Sequence, residues 1–364
     1  MLETVFITGG TGMIGRHLVA KICAAPTVEK VFVLTRRSST LRPHPKLEII
    51  HGDVECADLG MELLERRKLA QSVTTMIHGA ALTAFSSELT AARAVNVAGT
   101  EWVLQLAADC LRLRGFCHLS TVYVCGKRTG RICETELEHE AGFVNSYEQS
   151  KYEAEQLVQS ESYRLPATIV RLSTVIGDSG SGAVNKMGGI HHAMRMMFHG
   201  LAPFVPGRKD SAVDLIPLDY AVESVALLGM QAFAPDTTWH VCGADDALSL
   251  EAFLDVTVRL FYQHRPAWRK RAIEMPAIVN LETFELFVRS VEEVGDSAIV
   301  NSVAALKHFV PQLAYPKRIS DAATHAVLKP AGIVRAAMRD FYPKVVRFLL
   351  ENNWQPLCQE RMAL

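Results

Sequence analysis

The chain has 364 residues, which is enough for one large α/β domain or for two domains that share a cleft. Hydrophobic residues make up 49% of it and charged residues 21%, a composition that excludes general disorder and predicts a sizeable buried core. The formal net charge is −1, so nothing in the overall charge favours a nucleic-acid partner.

Short apolar runs alternate with helical patterns over residues 1–180. The predicted strands are Thr4–Ile7, Lys30–Leu34, Leu47–His51, Thr75–His78, Gly115–Ser120 and Ala167–Leu172. The predicted helices are 13–24, 59–70, 90–112 and 147–163. Strands that are apolar on both faces and alternate with helices predict an α/β fold, a Rossmann-type doubly wound parallel sheet.

The rest of the chain predicts a smaller, mainly helical region. Expected elements are a methionine-rich helix at 186–200, a short strand at 212–219, a helix at 219–231 and a late sheet strand at Trp239–Cys242. Further helices are expected at 249–263, 281–292, 301–309 and 331–352. We expect the sheet domain to comprise 1–180, with 208–245 contributing to it, and a C-terminal substrate-binding region to comprise 181–207 and 246–364.

The first motif is the run from Thr8 to Gly15, which joins the first strand to the first helix. Gly9 permits the tight turn, Gly12 lets backbone approach a pyrophosphate, and Gly15 lets the helix pack closely. The helix N-terminus would offer unpaired N–H groups to the phosphates. The residues expected around a bound dinucleotide here are Gly9, Thr11, Gly12, Met13, Ile14 and Gly15.

The end of the second strand bears on the choice of cofactor. Chains that bind NAD usually place Asp or Glu about 20 residues past the glycines, on the ribose 2′-hydroxyl. This chain has Arg36 and Arg37 there instead. Guanidinium groups match the oxygens of a 2′-phosphate, so the sequence predicts NADP(H). A solvated basic loop is the alternative interpretation.

Four further residues are expected beside the cofactor. Asp53 and Val54 follow the third strand, where a carboxylate would accept from the adenine amine and a valine would pack on the ring. Ala80 and Ala81 follow the fourth strand and would leave room for ribose and nicotinamide, or would simply pack the start of a helix. Asn96, a polar residue inside a helical run, would brace the active site or cap a turn.

The chemical step is predicted from Tyr147 and Lys151. Their i, i+4 spacing places both side chains on one helix face, and a lysine ammonium there would lower the pKa of the phenol. Tyr147 would then act as the proton donor in a hydride transfer. Thr121 ends the fifth strand, where it would hold a carbonyl oxygen. Its neighbour Ser120 is interpreted as a structural hydrogen bonder.

Other chemistries find little support. His191, His192 and His199 lack the spacing of a metal motif, so no metal is expected, and no G-x-S-x-G elbow is present. None of the eight cysteines forms a C-x-x-C pair; Cys117 and Cys125 are interpreted as small hydrophobes. This usage favours the cytoplasm. Neither a signal peptide nor a transmembrane segment is expected.

Residues 3–245 resemble the extended short-chain dehydrogenase/reductase superfamily. The resemblance is carried by the glycine run, by His78 to Ala81, and by Asn96, Thr121, Tyr147 and Lys151. It implies that Thr121, Tyr147 and Lys151 form the catalytic set, with Asn96 beside them.

A narrower resemblance points to the fatty acyl-CoA reductase and thioester reductase branch. It is carried by Ala80, Ala81 and Phe85, and by the runs Val95–Thr100, Arg171–Ser179 and Val213–Tyr220. It implies NADPH-dependent reduction of an acyl thioester to an aldehyde, with a second reduction to the alcohol left open. The acyl group would be carried by CoA or by a carrier protein in trans. The length of the acyl group and the oligomeric state of the protein, monomer or homodimer, stay open.

Two other functions are weighed against this one. The first is an extended reductase or epimerase that acts on a nucleotide sugar or on a free ketone or aldehyde. The second is a non-catalytic NADP-sensing module, against which the intact pair of Tyr147 and Lys151 argues. Under the thioester interpretation, the methionine-rich segment Met187–Leu201 and the helices after 245 would wall an acyl pocket. Ordinary helix packing is the alternative for that segment.

Overall fold

A seven-stranded sheet lies at the centre of the computed structural model, which describes residues 2–36, 41–265, 275–295 and 306–357. Its strands are β1 (Glu3–Thr8), β2 (Val28–Thr35), β3 (Leu47–His51), β4 (Thr75–His78), β5 (Gly115–Thr121), β7 (Ala167–Leu172) and β12 (Thr237–Val241). All neighbours pair in parallel, in the order β12-β7-β5-β4-β1-β2-β3. The order reverses between β1 and β4, the place where such sheets bind ligands. The predicted fold class is confirmed.

Helices cover both faces of the sheet and build the C-terminal region. They are α1 (Met13–Ala24), α2 (Leu63–Ser72), α3 (Leu89–Arg93), α4 (Gly99–Asp109), α5 (Ser146–Ser160), α6 (Gly189–His199), α7 (Leu218–Ala226), α8 (Leu250–His264), α9 (Leu281–Val294), α10 (Ala322–Leu328) and α11 (Met338–Glu351). The single helix predicted at 90–112 is wrong in its interior, because the π turn Ala94–Ala98 separates α3 from α4. The helix predicted at 331–352 begins only at Met338. That predicted at 301–309 falls mostly outside the described residues.

Within the described residues, eight short strands form four further pairs. They are β6 (Gly130–Ile132) with β15 (Lys317–Ile319), β8 (Thr174–Gly177) with β11 (Leu215–Pro217), β9 (Phe204–Pro206) with β14 (Ala277–Val279), and β10 (Ala212–Val213) with β13 (Leu248–Ser249). The strand predicted at 212–219 is therefore two strands. They break at Asp214, whose carboxylate accepts from the N–H groups of Gly243 at 2.6 Å and Ala244 at 3.2 Å.

Separate apolar cores support the sheet and the C-terminal helices. The core of the C-terminal region joins α6, α8 and α11 through buried residues such as Met194, Met197, Phe253, Phe261 and Tyr342. β12 returns from 208–245 to the sheet, as the sequence predicts, but the division of the chain into two domains stays a prediction. Within the described ranges, no helix combines the length and the apolar character that crossing a bilayer demands.

A buried ion pair fixes α5 on the sheet. Arg171 of β7 donates from Nε and Nη2 to Glu155 Oε2 of α5 at 2.9 and 2.8 Å, and the two side chains are 1% and 0% exposed. A two-pronged contact of this kind sets both the position and the rotation of a helix. It therefore orients the first turns of α5, which carry Tyr147 and Lys151.

Candidate active site

The glycine loop between β1 and α1 is packed too tightly for side chains at two positions. Gly9 has a φ of +74°, and a Cβ there would lie 2.4 Å from the carbonyl carbon of Gly79. A Cβ on Gly15 would lie 2.1 Å from the carbonyl oxygen of Gly9. Only glycine meets both demands, so the turn has the tightness that the sequence predicts.

The N-terminus of α1 is open to a ligand. Gly12 occupies the N-cap position, is exposed, and provides no side-chain cap for the first turn. Uncapped N–H groups at the positive end of a helix suit a pyrophosphate. Thr11, Met13 and Ile14 lie half-buried around this point. The residues present therefore fit a dinucleotide.

Arg16 is a residue of this loop that the sequence analysis did not single out. Its Nη2 donates to the carbonyl oxygen of Thr11 at 3.0 Å, and its Nε approaches that of Gly12 at 3.4 Å. Its position directly after Gly15 is the feature of the sequence by which it could have been identified. A guanidinium beside a phosphate-binding loop adds positive charge where phosphates would lie.

At the adenosine end, the side chain of Arg36 is 65% exposed and its Nη1 lies 3.0 Å from Glu55 Oε1 and 3.9 Å from Asp53 Oδ2. Asp53 stands after β3, where the sequence places it. Val54 is 8% exposed and belongs to the core beneath α4, so its packing on adenine stays a prediction. Arg37 lies outside the described residues.

Hydrogen bonds tie the end of β4 to β1 and α4. His78 Nδ1 lies 2.7 Å from Thr8 Oγ1, which also accepts from the N–H of Ala80 at 3.2 Å. His78 Nε2 lies 2.9 Å from Thr100 Oγ1. Burial lowers the pKa of His78 to about 3, so the ring is neutral. The half-buried Ala80 and Ala81 follow this fixed point at the carboxyl end of β4.

Thr121 and Tyr147 meet where β5 ends and α5 begins. The Thr121 hydroxyl accepts from the N–H of Tyr123 at 3.3 Å and lies near the Tyr147 phenol. Burial raises the pKa of Tyr147 to about 12, and the nearby Thr121 hydroxyl only partly opposes this rise. The prediction that Lys151 lowers this pKa is wrong for this structure, because burial of the phenol outweighs the effect of its neighbours.

Lys151 is held by β5. Its Nζ donates to the carbonyl oxygen of Leu119 at 2.8 Å and lies 2.9 Å from His118 Nε2. The side chain is buried, and burial lowers its pKa to about 8. Because an ammonium only donates, His118 Nε2 must accept, which leaves its proton on Nδ1. The structure thus places a lysine that titrates near neutral pH one turn after Tyr147.

Asn96 braces the site through Leu82 and Ser150. Its Oδ1 accepts from the N–H of Leu82 at 2.8 Å, and its Nδ2 donates to the carbonyl oxygen of Leu82 at 3.2 Å and to Ser150 Oγ at 2.9 Å. It therefore joins the loop after β4 to the residue before Lys151. Of the two interpretations left open by the sequence, bracing through backbone bonds is the one that the geometry supports.

Ser120 does not behave as predicted. Its hydroxyl is buried and has no hydrogen-bond partner in the part of the chain that the structure describes, so the interpretation as a structural hydrogen bonder is wrong. A buried polar atom without a partner costs free energy. Ser120 stands at the carboxyl edge of the sheet, where ligands bind in folds of this kind, so its unpartnered hydroxyl is suited to bind a ligand.

An apolar pocket adjoins the end of β5. Its walls come from α6, α8, β9, β10 and the segment 306–319, and the lining includes Ile190, Met194, Met197, Phe253, Leu254 and Val310. Val122 and Tyr123, which directly follow Thr121, also line it. Phe309 lines it as well and stacks on Phe85 at 5.7 Å, and Phe85 meets the Tyr147 ring edge-on at 5.4 Å. The predicted walls, α6 and a helix after 245, do enclose a pocket.

His191 has a structural role in α6. Its Nδ1 accepts from the N–H of Gly188 at 2.9 Å, and its Nε2 donates to the carbonyl oxygen of Ile176 at 2.7 Å. Within the described ranges, no group of three His, Cys, Asp or Glu residues is arranged to hold a metal ion. Cys117 is fully buried, and burial raises the pKa of its thiol to about 12, as suits a small hydrophobe.

Comparisons with known proteins agree with this geometry. The model of an NAD-binding family described as male sterility protein matches residues 7–44 and 39–225. The fatty acyl-CoA reductase wat of Drosophila melanogaster is 25% identical over 272 residues, 61% of this chain and 53% of that protein. D-lysergyl-peptide-synthetase subunit 3 of Claviceps purpurea is 31% identical over 211 residues, 50% of this chain and 12% of that protein. The chain thus spans about half the length of the first relative and far less of the second.

A solved structure extends the likeness to nearly the whole chain. The crystal structure of the terminal R domain from the myxalamid PKS-NRPS biosynthetic pathway matches with a TM-score of 0.77 at 23% identity. The match covers 97% of this chain and 92% of that domain. At this identity the likeness shows the fold, including the arrangement of the C-terminal helices on the sheet.

Proposed function

This chain belongs to the male sterility protein family, whose members bind a nicotinamide dinucleotide, and we propose that it is an NADPH-dependent reductase of acyl thioesters. The observation that carries the proposal is the hydroxyl pair of Thr121 and Tyr147 at the end of β5, beside an apolar pocket. The pair can bind the oxygen of a carbonyl group, and the pocket can take the chain attached to it.

The residues of the chain divide the chemical work among them. A bound nicotinamide would supply the hydride for the thioester carbonyl carbon. Thr121 and Tyr147 would donate hydrogen bonds to the carbonyl oxygen as it gains negative charge, which is commonly the largest stabilisation in such steps. With a pKa of about 12, Tyr147 carries its proton at neutral pH and can give it to that oxygen. Loss of the thiol would then release an aldehyde.

Lys151 and Arg36 are proposed to hold the cofactor. Lys151 lies one turn after Tyr147, where its ammonium would donate hydrogen bonds to the nicotinamide ribose. Arg36 is exposed after β2, where a guanidinium would bind a ribose 2′-phosphate. The choice of NADPH over NADH rests on Arg36 and on the absence of an acidic residue at Thr35.

The pocket supports an acyl substrate over a nucleotide sugar. Its lining is mostly aliphatic, aromatic and methionine side chains. A nucleotide sugar carries phosphates and hydroxyls that lose free energy when buried without polar partners. The names of the two relatives suggest either CoA or a carrier protein in trans as the thiol. Because the described cysteines are free thiols, we place the reaction in the reducing cytoplasm.

A turnover panel tests the proposal. The protein is mixed with NADPH and dodecanoyl-CoA, dodecanoyl-N-acetylcysteamine, dodecanal, a simple ketone or UDP-glucose, and loss of NADPH absorbance is read with product mass. We expect thioester-dependent oxidation of NADPH with dodecanal or dodecanol as product. Turnover of UDP-glucose or of the ketone, without turnover of either thioester, would contradict the proposal.

A further inference from the structure

One cation interrupts the apolar wall of the pocket. Lys317 of β15 lines it, and its Nζ donates to Gln312 Oε1 at 2.7 Å and to the carbonyl oxygen of Gly126. Its Nζ also lies 5.9 Å from the centre of the Tyr315 ring. No carboxylate of the described residues forms an ion pair with Lys317. An ammonium has three N–H groups, so one remains after these two hydrogen bonds.

Two further polar side chains of the lining, Gln312 and Tyr123, connect the pocket to Tyr147 and Thr121. Gln312 also lines the pocket, and its Nε2 donates at 2.5 Å to Oε1 of Glu148, the residue after Tyr147. The Tyr123 hydroxyl is 2.8 Å from Thr174 Oγ1, and both side chains line the pocket. The walls formed by α6 and α8 are apolar. The pocket thus combines apolar walls from α6 and α8 with a polar patch of Lys317, Gln312 and Tyr123, which connects through Glu148 to Tyr147.

A saturated acyl chain would match only the apolar part. If such a chain lay against Lys317, it would shield the remaining N–H of the ammonium from water. Because the chain has no acceptor for this N–H, its burial would cost free energy. An oxygen at this place would accept that hydrogen bond. The two acceptors already on Lys317 hold its side chain in place, so the ammonium is oriented before the substrate arrives.

We propose that Lys317 makes the pocket selective for acyl groups that carry an acceptor oxygen, a hydroxyl or carbonyl, within the first few carbons of the thioester. The chain beyond that oxygen is apolar and lies between α6 and α8. This inference rests on the proposed thioester reduction and adds the substrate class to it.

The test compares two substrates of equal chain length, 3-hydroxydodecanoyl-CoA and dodecanoyl-CoA. We expect the wild type to favour the hydroxylated thioester in kcat/KM by about tenfold or more, the effect of one hydrogen bond to a charged group. Lys317→Met keeps the length of the side chain and removes the donor. We expect it to abolish the preference, so that the ratio of the two kcat/KM values falls to about one.

Lys127→Met is the matched control. Lys127 Nζ is also 5.9 Å from the Tyr315 ring centre, but its side chain is not part of the pocket lining. This variant should keep the full preference, and Lys317→Arg, which keeps a charged donor, should keep part of it. Equal kcat/KM for the two substrates in the wild type, or an unchanged preference in Lys317→Met, would overturn the inference.

A binding measurement separates this inference from the proposed function. Calorimetric titration of 3-hydroxydodecanoyl- and dodecanoyl-CoA into wild type and Lys317→Met needs no turnover. If neither thioester is reduced, the proposed function fails; tighter binding of the hydroxylated compound that Lys317→Met removes would still support the selectivity. Equal binding of both compounds by the wild type would overturn the selectivity whether or not reduction occurs.

Discussion

At the catalytic end of the proposed site, Asn96, Thr121 and Lys151 are each held by hydrogen bonds with defined partners, whereas along the pocket Met197, Phe253 and Leu254 pack through apolar side-chain contact. Hydrogen bonds depend on direction, so the loss of one atom there should change the chemistry sharply. Apolar contact depends on volume, so changes there should act in a graded way. The predictions below are ordered from the largest expected effect to the smallest.

Tyr147→Phe should lower kcat by about 10²- to 10⁴-fold, the effect of a lost general acid, while NADPH affinity stays nearly the same. Tyr152→Phe is the matched control on the same helix, since its hydroxyl accepts only from Gln156 Nε2 at 3.2 Å and its ring packs on Phe143. Steady-state kinetics from pH 6 to 9 measure both variants. Wild-type turnover in Tyr147→Phe across this range would remove Tyr147 from the mechanism.

Arg36→Ala should weaken NADPH binding by about ten- to hundredfold, as expected for one charge-assisted hydrogen bond, and should leave NADH binding unchanged. Arg164→Ala removes another exposed guanidinium, one paired with Glu161, and should change neither affinity. Fluorescence titration of the wild type and both variants with each cofactor gives the six dissociation constants. Equal affinity of the wild type for NADPH and NADH would show that Arg36 does not select the cofactor.

The pocket should show the graded behaviour of apolar contact. Each added methylene should raise kcat/KM by about fourfold, from roughly 0.8 kcal/mol per buried CH₂, until the pocket is full. Met197→Ala should move that plateau to longer chains. Met196→Ala is its neighbour in α6, equally buried at 5% but outside the pocket lining, and should leave the plateau in place. A shift in both variants, or in neither, would argue against α6 as a pocket wall.

Glu148 should make stability depend on pH. Burial raises its pKa from 4.5 to about 7, against the opposing effects of Gln312, Val144, Lys317 and Asn145. Because the folded pKa exceeds the unfolded one, the unfolded state releases its proton first as pH rises. The contribution of Glu148 to the free energy of unfolding is therefore complete below pH 4.5. It is lost progressively as the pH rises to about 7.

Urea unfolding at pH 5 and pH 8 measures this effect. The free energy of unfolding of the wild type should fall between these pH values by about 1 to 2 kcal/mol more than that of Glu148→Gln. Glu153→Gln is the control in α5, because its pair with Arg93 lowers the pKa of Glu153 and leaves it ionised at both pH values. Identical pH slopes for wild type and Glu148→Gln would show that Glu148 is ionised throughout.

The same comparison explains what the sequence could predict. The glycine run and the pair of Tyr147 and Lys151 are short-range patterns, so the elements that carry them follow from neighbouring residues. The alternation of strand and helix patterns likewise predicted the parallel sheet. The π turn Ala94–Ala98 was missed because it interrupts a helical pattern without a proline or glycine that breaks it.

The pocket and its polar end could be predicted only in outline. Gln312 and Glu148 are bonded across 164 positions of the chain, and β15 meets β6 across a similar distance. The periodicity of a single sequence does not predict contacts between residues that are so far apart in the chain. The raised pKa of Tyr147 was missed for the same reason, because burial depends on packing by distant segments such as the one that carries Phe309.

Transfer of deuterium from the cofactor tests the central claim most directly. The protein is incubated with NADPH carrying deuterium at both C4 positions of the nicotinamide and with 3-hydroxydodecanoyl-CoA and dodecanoyl-CoA in separate reactions, and the products are analysed by mass spectrometry. We expect an aldehyde with one deuterium on C1, or an alcohol with two, together with free CoA in equal amount to the acyl product. Free CoA with unlabelled carboxylic acid, or no acyl product that contains deuterium, would contradict the assignment as a thioester reductase.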